Sequence, residues 1–133
     1  MKGNCLCGKV NYEVEGEIGN AVRCYCRSCQ QVTGSAFASV ALTTVCKFRI
    51  ISGHEAISSF ESSPGKHRRF CSGCGSAVYT KTETDPDVIR IRLGGIEDPV
   101  GVNFKHHIFV SEKVDWYEIV DDLPQFDAWP TML

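Results

Sequence analysis

No apolar run in this chain of 133 residues approaches the roughly 20 residues that a membrane-spanning helix needs, so no bilayer-crossing helix is expected. The first residues, Met1-Lys2-Gly3-Asn4-Cys5, lack the apolar stretch that directs secretion. The protein is therefore expected in the cytoplasm. Cationic excess is also missing: Lys and Arg number 14 against 16 Asp and Glu, a formal charge of −2. Nucleic acid is accordingly not an expected partner. Leucine is scarce, whereas Val, Ile, Phe and Thr are plentiful, which favours strands. No internal repeat, low-complexity tract or linker breaks the chain, so residues 1–133 read as a single domain. A chain of this length can bury a core without disulfide staples.

What the sequence has in excess is cysteine, with 8 in all. Cys5 and Cys7 form a C-x-C pair, Cys24, Cys26 and Cys29 a C-x-C-x-x-C triplet, and Cys71 and Cys74 a C-x-x-C pair; only Cys46 stands alone. In a reducing compartment such clusters read as metal-binding or catalytic rather than as disulfides. Zinc takes four protein ligands in a structural site, and three plus an open position in a catalytic one. The two pairs supply one closed site and the triplet one open site. The competing reading of the pairs is a redox dithiol. Such a dithiol usually starts a helix, whose dipole lowers one thiol pKa. Phe70-Cys71-Ser72-Gly73-Cys74-Gly75 instead lies between two strand-like runs.

Short runs with strand character recur at 10–14, 37–45, 46–51, 56–60, 77–80, 88–93 and 107–110, separated by glycine turns. Residues 27–33, closed by Gly34 at a C-cap position, are the one short-helix candidate. Cys29 then falls in the first turn, where the helix N-terminus favours thiolates. The fourth position of the triplet is open to water, to a substrate thiolate, or to a distant side chain such as His54, His67, His106 or His107. A closed, purely structural second site remains the alternative. Cys46, inside a strand-like run, reads as a small buried hydrophobe. The basic run Lys66-His67-Arg68-Arg69 either holds carboxylates of a small anionic substrate or is a solvated strand edge. Trp116, Phe126 and Trp129 are expected to pack on the core.

Three cysteine clusters in this order, as Gly3-x-Cys5-x-Cys7-Gly8, Cys24-x-Cys26-x-x-Cys29 with Thr33-Gly34, and Arg69-Phe70-Cys71-x-x-Cys74-Gly75, resemble the glutathione-dependent formaldehyde-activating family. That family also takes in centromere protein V. Asp115-Trp116 and Leu123-Pro124-Gln125-Phe126 resemble its closing segment, so the resemblance spans nearly the whole chain. It implies a mainly β fold, the β-tent, with antiparallel sheets around zinc and one short helix. It implies that Cys5, Cys7, Cys71 and Cys74 hold a structural zinc, and that Cys24, Cys26 and Cys29 hold a catalytic zinc, labile towards thiols. The implied activity is that of a carbon–sulfur lyase acting on adducts of a small thiol, glutathione, with a small aldehyde, as S-(hydroxymethyl)glutathione synthase does. The family's central motif often reads Cys-His-Cys-x-x-Cys-Arg-Lys. Here Tyr25, Gln30 and Gln31 replace its histidine and two cations, leaving Arg23 and Arg27 nearby. Fewer cations beside the metal weaken attraction for the two carboxylates of glutathione. The competing functional reading is a non-enzymatic, zinc-stabilised binding module. A redox protein resembling methionine sulfoxide reductase B, which shares the fold, would need Cys46 as its reactive thiol.

Overall fold

The computed structural model describes residues 1–99 and 101–130; residues 131–133 of the domain read from the sequence lie outside them. The chain is mainly β. A three-stranded sheet takes the order β1 (Lys2–Asn4), β2 (Asn11–Val14), β5 (Phe48–Ser52). The larger sheet has seven strands. From one edge it runs β10 (Phe104–Ile108), β3 (Ala21–Cys24), β4 (Ala38–Thr44), β9 (Asp85–Arg92), β8 (Ala77–Thr82), β7 (Lys66–Cys71) and β6 (Ile57–Ser63). Every pairing is antiparallel except β10 with β3, which is parallel. The expectation of antiparallel sheets thus holds with that one exception. No helix among the described residues is long and apolar enough to cross a membrane.

Alternation along the strands divides the interior in two. On β9, Ile89 and Ile91 are buried in a first apolar cluster with Val10, Tyr12, Val14 and Val78. Arg90 and Arg92 point to the opposite face, and in register with Arg92 lies Val40 of β4, paired in turn with Val22 of β3. Val22 and Val40, with Ala38 and Ile108, make a second, smaller cluster. The first cluster contains Cys5 and Cys71, the second Cys24 and Cys29. Each sulfur group is therefore seated on its own patch of core.

Close backbone approach fixes the first of these seats. Gly53, at φ 86°, turns against Lys9, whose carbonyl oxygen lies 2.0 Å from where a Cβ would be. Only glycine fits there. The sheet edge at β10 is covered by the C-terminal segment. His107 donates its amide to the Pro124 carbonyl at 2.9 Å, and Phe126 donates to the His107 carbonyl at 2.9 Å. An edge strand covered in this way cannot template pairing with another chain.

Three expectations are corrected. Cys46 is exposed and sits in a 3-10 turn, Val45–Lys47, that lies across the junction of the strand-like runs 37–45 and 46–51, between β4 and β5. Its sulfur lies 3.1 Å from the Thr44 hydroxyl. Trp116 is 72 % exposed and packs on no core. Trp129 does join the second cluster, and Phe126 packs edge-on against His106 at 5.2 Å. Finally, β7 is no solvated edge: it lies between β6 and β8, and Arg68 is buried.

Candidate metal centres

The first group is built from two tight turns brought together across the fold. Cys5 and Cys7 leave β1, and the turn closes with the Gly8 amide donating to the Cys5 carbonyl at 3.1 Å. Cys71 ends β7, and the Gly75 amide donates to the Cys71 carbonyl at 2.7 Å. Gly8 and Gly75 adopt positive φ, 80° and 78°, which lets each loop curl over its sulfurs. The four sulfurs lie within 4.8 Å of one another and can hold a metal ion. Cys5 and Cys7 sulfurs are 3.6 Å apart, and those of Cys7 and Cys71 are 3.7 Å apart. Four thiolates about 2.3 Å from a tetrahedral zinc would stand about 3.8 Å apart, whereas a disulfide would bring two of them to about 2.05 Å. The spacing fits the metal and not the disulfide.

Hydrogen bonds prepare these sulfurs for negative charge. The Val10 amide donates to Cys5 Sγ at 3.3 Å. Burial opposes charge on Cys5, but that amide and the neighbouring Cys7 and Cys71 outweigh it and hold its pKa below the ordinary thiol value. The Ser76 hydroxyl, 3.2 Å from Cys74 Sγ, with the Ser76 and Cys7 amides, brings Cys74 down to about 5. Cys7 goes the other way. The Lys9 amide favours its thiolate, but burial and the three neighbouring sulfurs push it up to about 11. Neighbouring thiolates repel one another, and a bound cation would offset that repulsion, so the arrangement suits a metal ion.

The second group sits at a strand–helix corner. Cys24 ends β3, and Cys26 is the N-cap of α1 (Arg27–Thr33), its sulfur accepting the Cys29 amide at 3.4 Å. Gly34, in the left-handed region, ends the helix with its amide on the Gln30 carbonyl at 2.8 Å. The three sulfurs converge within 4.8 Å. Among the described residues no fourth Cys, His, Asp or Glu atom joins them. Hydrogen bonds from Cys24 and Cys26 hold the Cys29 pKa far below the thiol range, with help from the Arg92 and Arg68 charges. The same contacts with Cys26 and Cys29, together with burial, push Cys24 far above it. The trio parts readily with a first proton and reluctantly with its last.

The four histidines are placed elsewhere. His67 lies beside Glu83, 3.1 Å away, and Glu61. His54 is in a 3-10 turn, and His106 stacks on Phe126. His107 is buried, with Nδ1 2.8 Å from the Tyr25 hydroxyl and Nε2 2.8 Å from Asp121 Oδ1. That chain of bonds, with Gln30 Nε2 donating to the Tyr25 carbonyl at 2.7 Å, anchors the loop between Cys24 and Cys26.

Residues 1–112 match the family described as glutathione-dependent formaldehyde-activating enzyme. The chain belongs to that family. A relative from Halomonas elongata, named "Putative glutathione-dependent formaldehyde-activating enzyme", is 28 % identical over 127 residues, covering 90 % of this chain and 80 % of its own. A protein of Schizosaccharomyces pombe named as an uncharacterized lyase is 22 % identical over 125 residues, covering 94 % of this chain and 89 % of its own. The crystal structure of a Rhodobacter sphaeroides protein superposes with a TM-score of 0.65 at 23 % identity, over 94 % of this chain and 99 % of that one. It shares the fold.

Membership makes the surroundings of the triplet informative. A narrow cleft opens on Cys24 and Cys29 and is lined by Lys66, Arg68, Arg90 and Arg92, with Trp129 and Ile108 among its apolar walls. Arg92 Nη1 donates to Cys29 Sγ at 3.9 Å. Burial, then the Arg68 charge, depresses the Lys66 pKa. The cations missing from the local motif are thus supplied from β7 and β9. Sequence reading placed Lys66 and Arg68 in a candidate anion-holding run and missed Arg90 and Arg92 as members of this site. The alternation of residues 88–93 was the available signal, since it sets Arg90 and Arg92 on one face.

Proposed function

We propose that this protein is a zinc-dependent carbon–sulfur lyase that joins a small thiol such as glutathione to a small aldehyde, or splits the adduct, in the cytoplasm. Cys5, Cys7, Cys71 and Cys74 hold one zinc as a structural clamp within a single domain, residues 1–133. Cys24, Cys26 and Cys29 hold a second, with one position left for substrate. The observation that carries this reading is the convergence of three sulfurs, without a fourth side-chain donor among the described residues, beside a cationic cleft. Family membership supports it.

A zinc ion held by Cys24, Cys26 and Cys29 would lower the pKa of a thiol in its open position and so supply a thiolate near neutral pH. The chain's own residues do the rest. The Cys29 amide and the Arg92 guanidinium stabilise charge on the trio. Ile108, Val22, Val40 and Trp129 form the apolar part of the cleft wall and limit the access of water to it. Held thiol and aldehyde then react with the advantage of proximity and orientation.

The test is zinc per chain by elemental analysis, before and after dialysis against glutathione. Two zinc ions falling to one is the expected result, with Cys26→Ser holding only one from the start. Two ions that both resist the thiol, or a single ion from the outset, would refute an open thiol-accepting site. Either result would leave a zinc-stabilised binding module as the better description.

A further inference from the structure

The wall facing the triplet carries more positive charge than the sulfurs can use. Arg90 is committed: it bonds Asp85 at 3.4 Å and Thr82 at 3.2 Å, and lies 5.1 Å from the centre of the Trp129 ring. Lys66, Arg68 and Arg92 have no carboxylate partner among the described residues. A divalent cation on three thiolates has a net charge of −1, and a bound substrate thiolate brings it to −2. Three cations face that charge, so one further negative charge is wanted in the cleft.

Two atoms say where it belongs. Arg68 is only 7 % exposed; its Nε donates to the Ser62 hydroxyl at 2.9 Å, but its Nη1 has no partner. Thr80, opposite Arg68 in the β7–β8 register, is 3 % exposed, and its Oγ1 is also without a partner. Buried polar atoms are nearly always hydrogen-bonded, so a neighbouring guanidinium N–H and hydroxyl left bare in one cleft mark the place of a ligand oxygen.

We propose that Arg68, Thr80 and Arg92 form a carboxylate subsite, and that the aldehyde handled here bears its carboxylate directly on the carbonyl carbon, as glyoxylate does. This rests on the reading of the triplet as a thiol-activating centre. Arg92 is in contact with the Cys29 sulfur, so a carboxylate on this wall lies next to the reacting carbon. The carboxylates of glutathione lie several bonds from its sulfur and belong further out. Formaldehyde has no oxygen to spare for Arg68. In the reaction the thiol sulfur bonds the aldehyde carbon, the C=O π bond opens, and the thiol proton ends on the new hydroxyl. The product is a 2-hydroxy-2-thioether acid, and cleavage is the reverse. No redox change occurs.

The experiment titrates the zinc-loaded protein with glyoxylate, and separately with glutathione, by calorimetry and by the amide and Arg side-chain NMR shifts. Glyoxylate is expected to bind saturably. Thr80→Val, which keeps the side-chain shape, should weaken it at least tenfold while leaving glutathione affinity within twofold, and Arg68→Met should weaken it at least as much. Zinc content of each variant reports whether it is folded, and Thr80→Val carries the test if Arg68→Met is not. Glyoxylate that fails to bind, or binds equally to wild type and Thr80→Val, would overturn the proposal. Variants that weaken glutathione and not glyoxylate would put the carboxylate on the thiol and overturn it too. If glyoxylate binds as expected but glutathione never removes zinc, the carboxylate subsite stands and the lyase reading falls.

Discussion

His107 is 1 % exposed, yet both of its ring nitrogens are hydrogen-bonded, to the Tyr25 hydroxyl and to Asp121. Tyr25 separates two of the triplet cysteines, so this chain of side chains pins the loop that carries them. The His107 bond, the Leu123 amide and the Arg23 charge together hold the Asp121 pKa below the ordinary carboxylate value. A depressed carboxylate stabilises the fold above its unfolded pKa, roughly 4, and that contribution is lost as pH falls through the lower folded value. Asp121→Asn should therefore be less stable than wild type at neutral pH, with the difference shrinking below about pH 4. Denaturant unfolding across that range measures it; a difference independent of pH would deny the link. Legibility at this scale followed sequence distance. The cysteines were readable because their spacing is local. Tyr25, His107 and Asp121 were not, because they meet only through the parallel pairing of β10 with β3 and the docking of the C-terminal segment along β10. Arg90 and Arg92 were not recognised as site residues, because sheet register brings them to Cys29.

At the scale of elements, α1 is held less by its own seven residues than by what grips it. A helix this short is not stable alone in water. Gln30, buried on its inner face, donates to the Tyr25 carbonyl at 2.7 Å and to the Glu112 carbonyl at 2.9 Å, joining the helix to the loop before it and to a turn near the C-terminus. Gln30→Leu keeps the bulk and strips one bond from the buried Tyr25 carbonyl and one from the part-buried Glu112 carbonyl. The expected cost is about 1–3 kcal/mol. It should fall on the second metal group, so that bound zinc there exchanges faster while the first group is untouched; radioactive or isotopic zinc exchange, resolved for the two sites, would show it. The helix was legible from its C-terminal Gly34, but Gln30 looked like a lost cation rather than a strut. β7 was harder. A strand reading Lys-His-Arg-Arg-Phe-Cys has no apolar alternation, because the face it buries is charged and turned to the cleft. The 3-10 turn at 45–47 was missed for the opposite reason, since Thr44-Val45-Cys46 has strand-like composition throughout.

Seen whole, the molecule keeps its two sulfur groups on separate apolar clusters, and they should differ in what they hold up. The first joins residues 5–7 to 71–74 and so links the small sheet to the far end of β7. Structural zinc in small domains contributes on the order of 10 kcal/mol, comparable to the roughly 5–15 kcal/mol net stability of a typical domain. Cys71→Ser is expected to abolish cooperative unfolding near room temperature. Cys26→Ser takes one sulfur from the second group, but serine is itself a good N-cap, so its melting temperature should stay within several degrees of wild type. Thermal unfolding of the two variants side by side decides this, and equal losses would contradict the division of labour. The mainly β architecture was readable from short alternating runs and glycine turns. The partition of the core was not, because it depends on which face of β9 meets which sheet.

That partition has a consequence for how the chain emerges from the ribosome. Synthesis runs from the N-terminus, so Cys24, Cys26 and Cys29 are all outside while most of the sheet has yet to be made. Cys5 and Cys7 must wait for Cys74, 67 positions beyond Cys7. In that interval the nascent chain presents a complete three-thiol chelate beside two unpartnered thiols, with Cys46 soon added. A metal captured then can bridge the wrong set. If the two variants unfold as expected, the order of manufacture opposes the order of need: the group the fold can spare is ready first, and the group on which it depends is finished last.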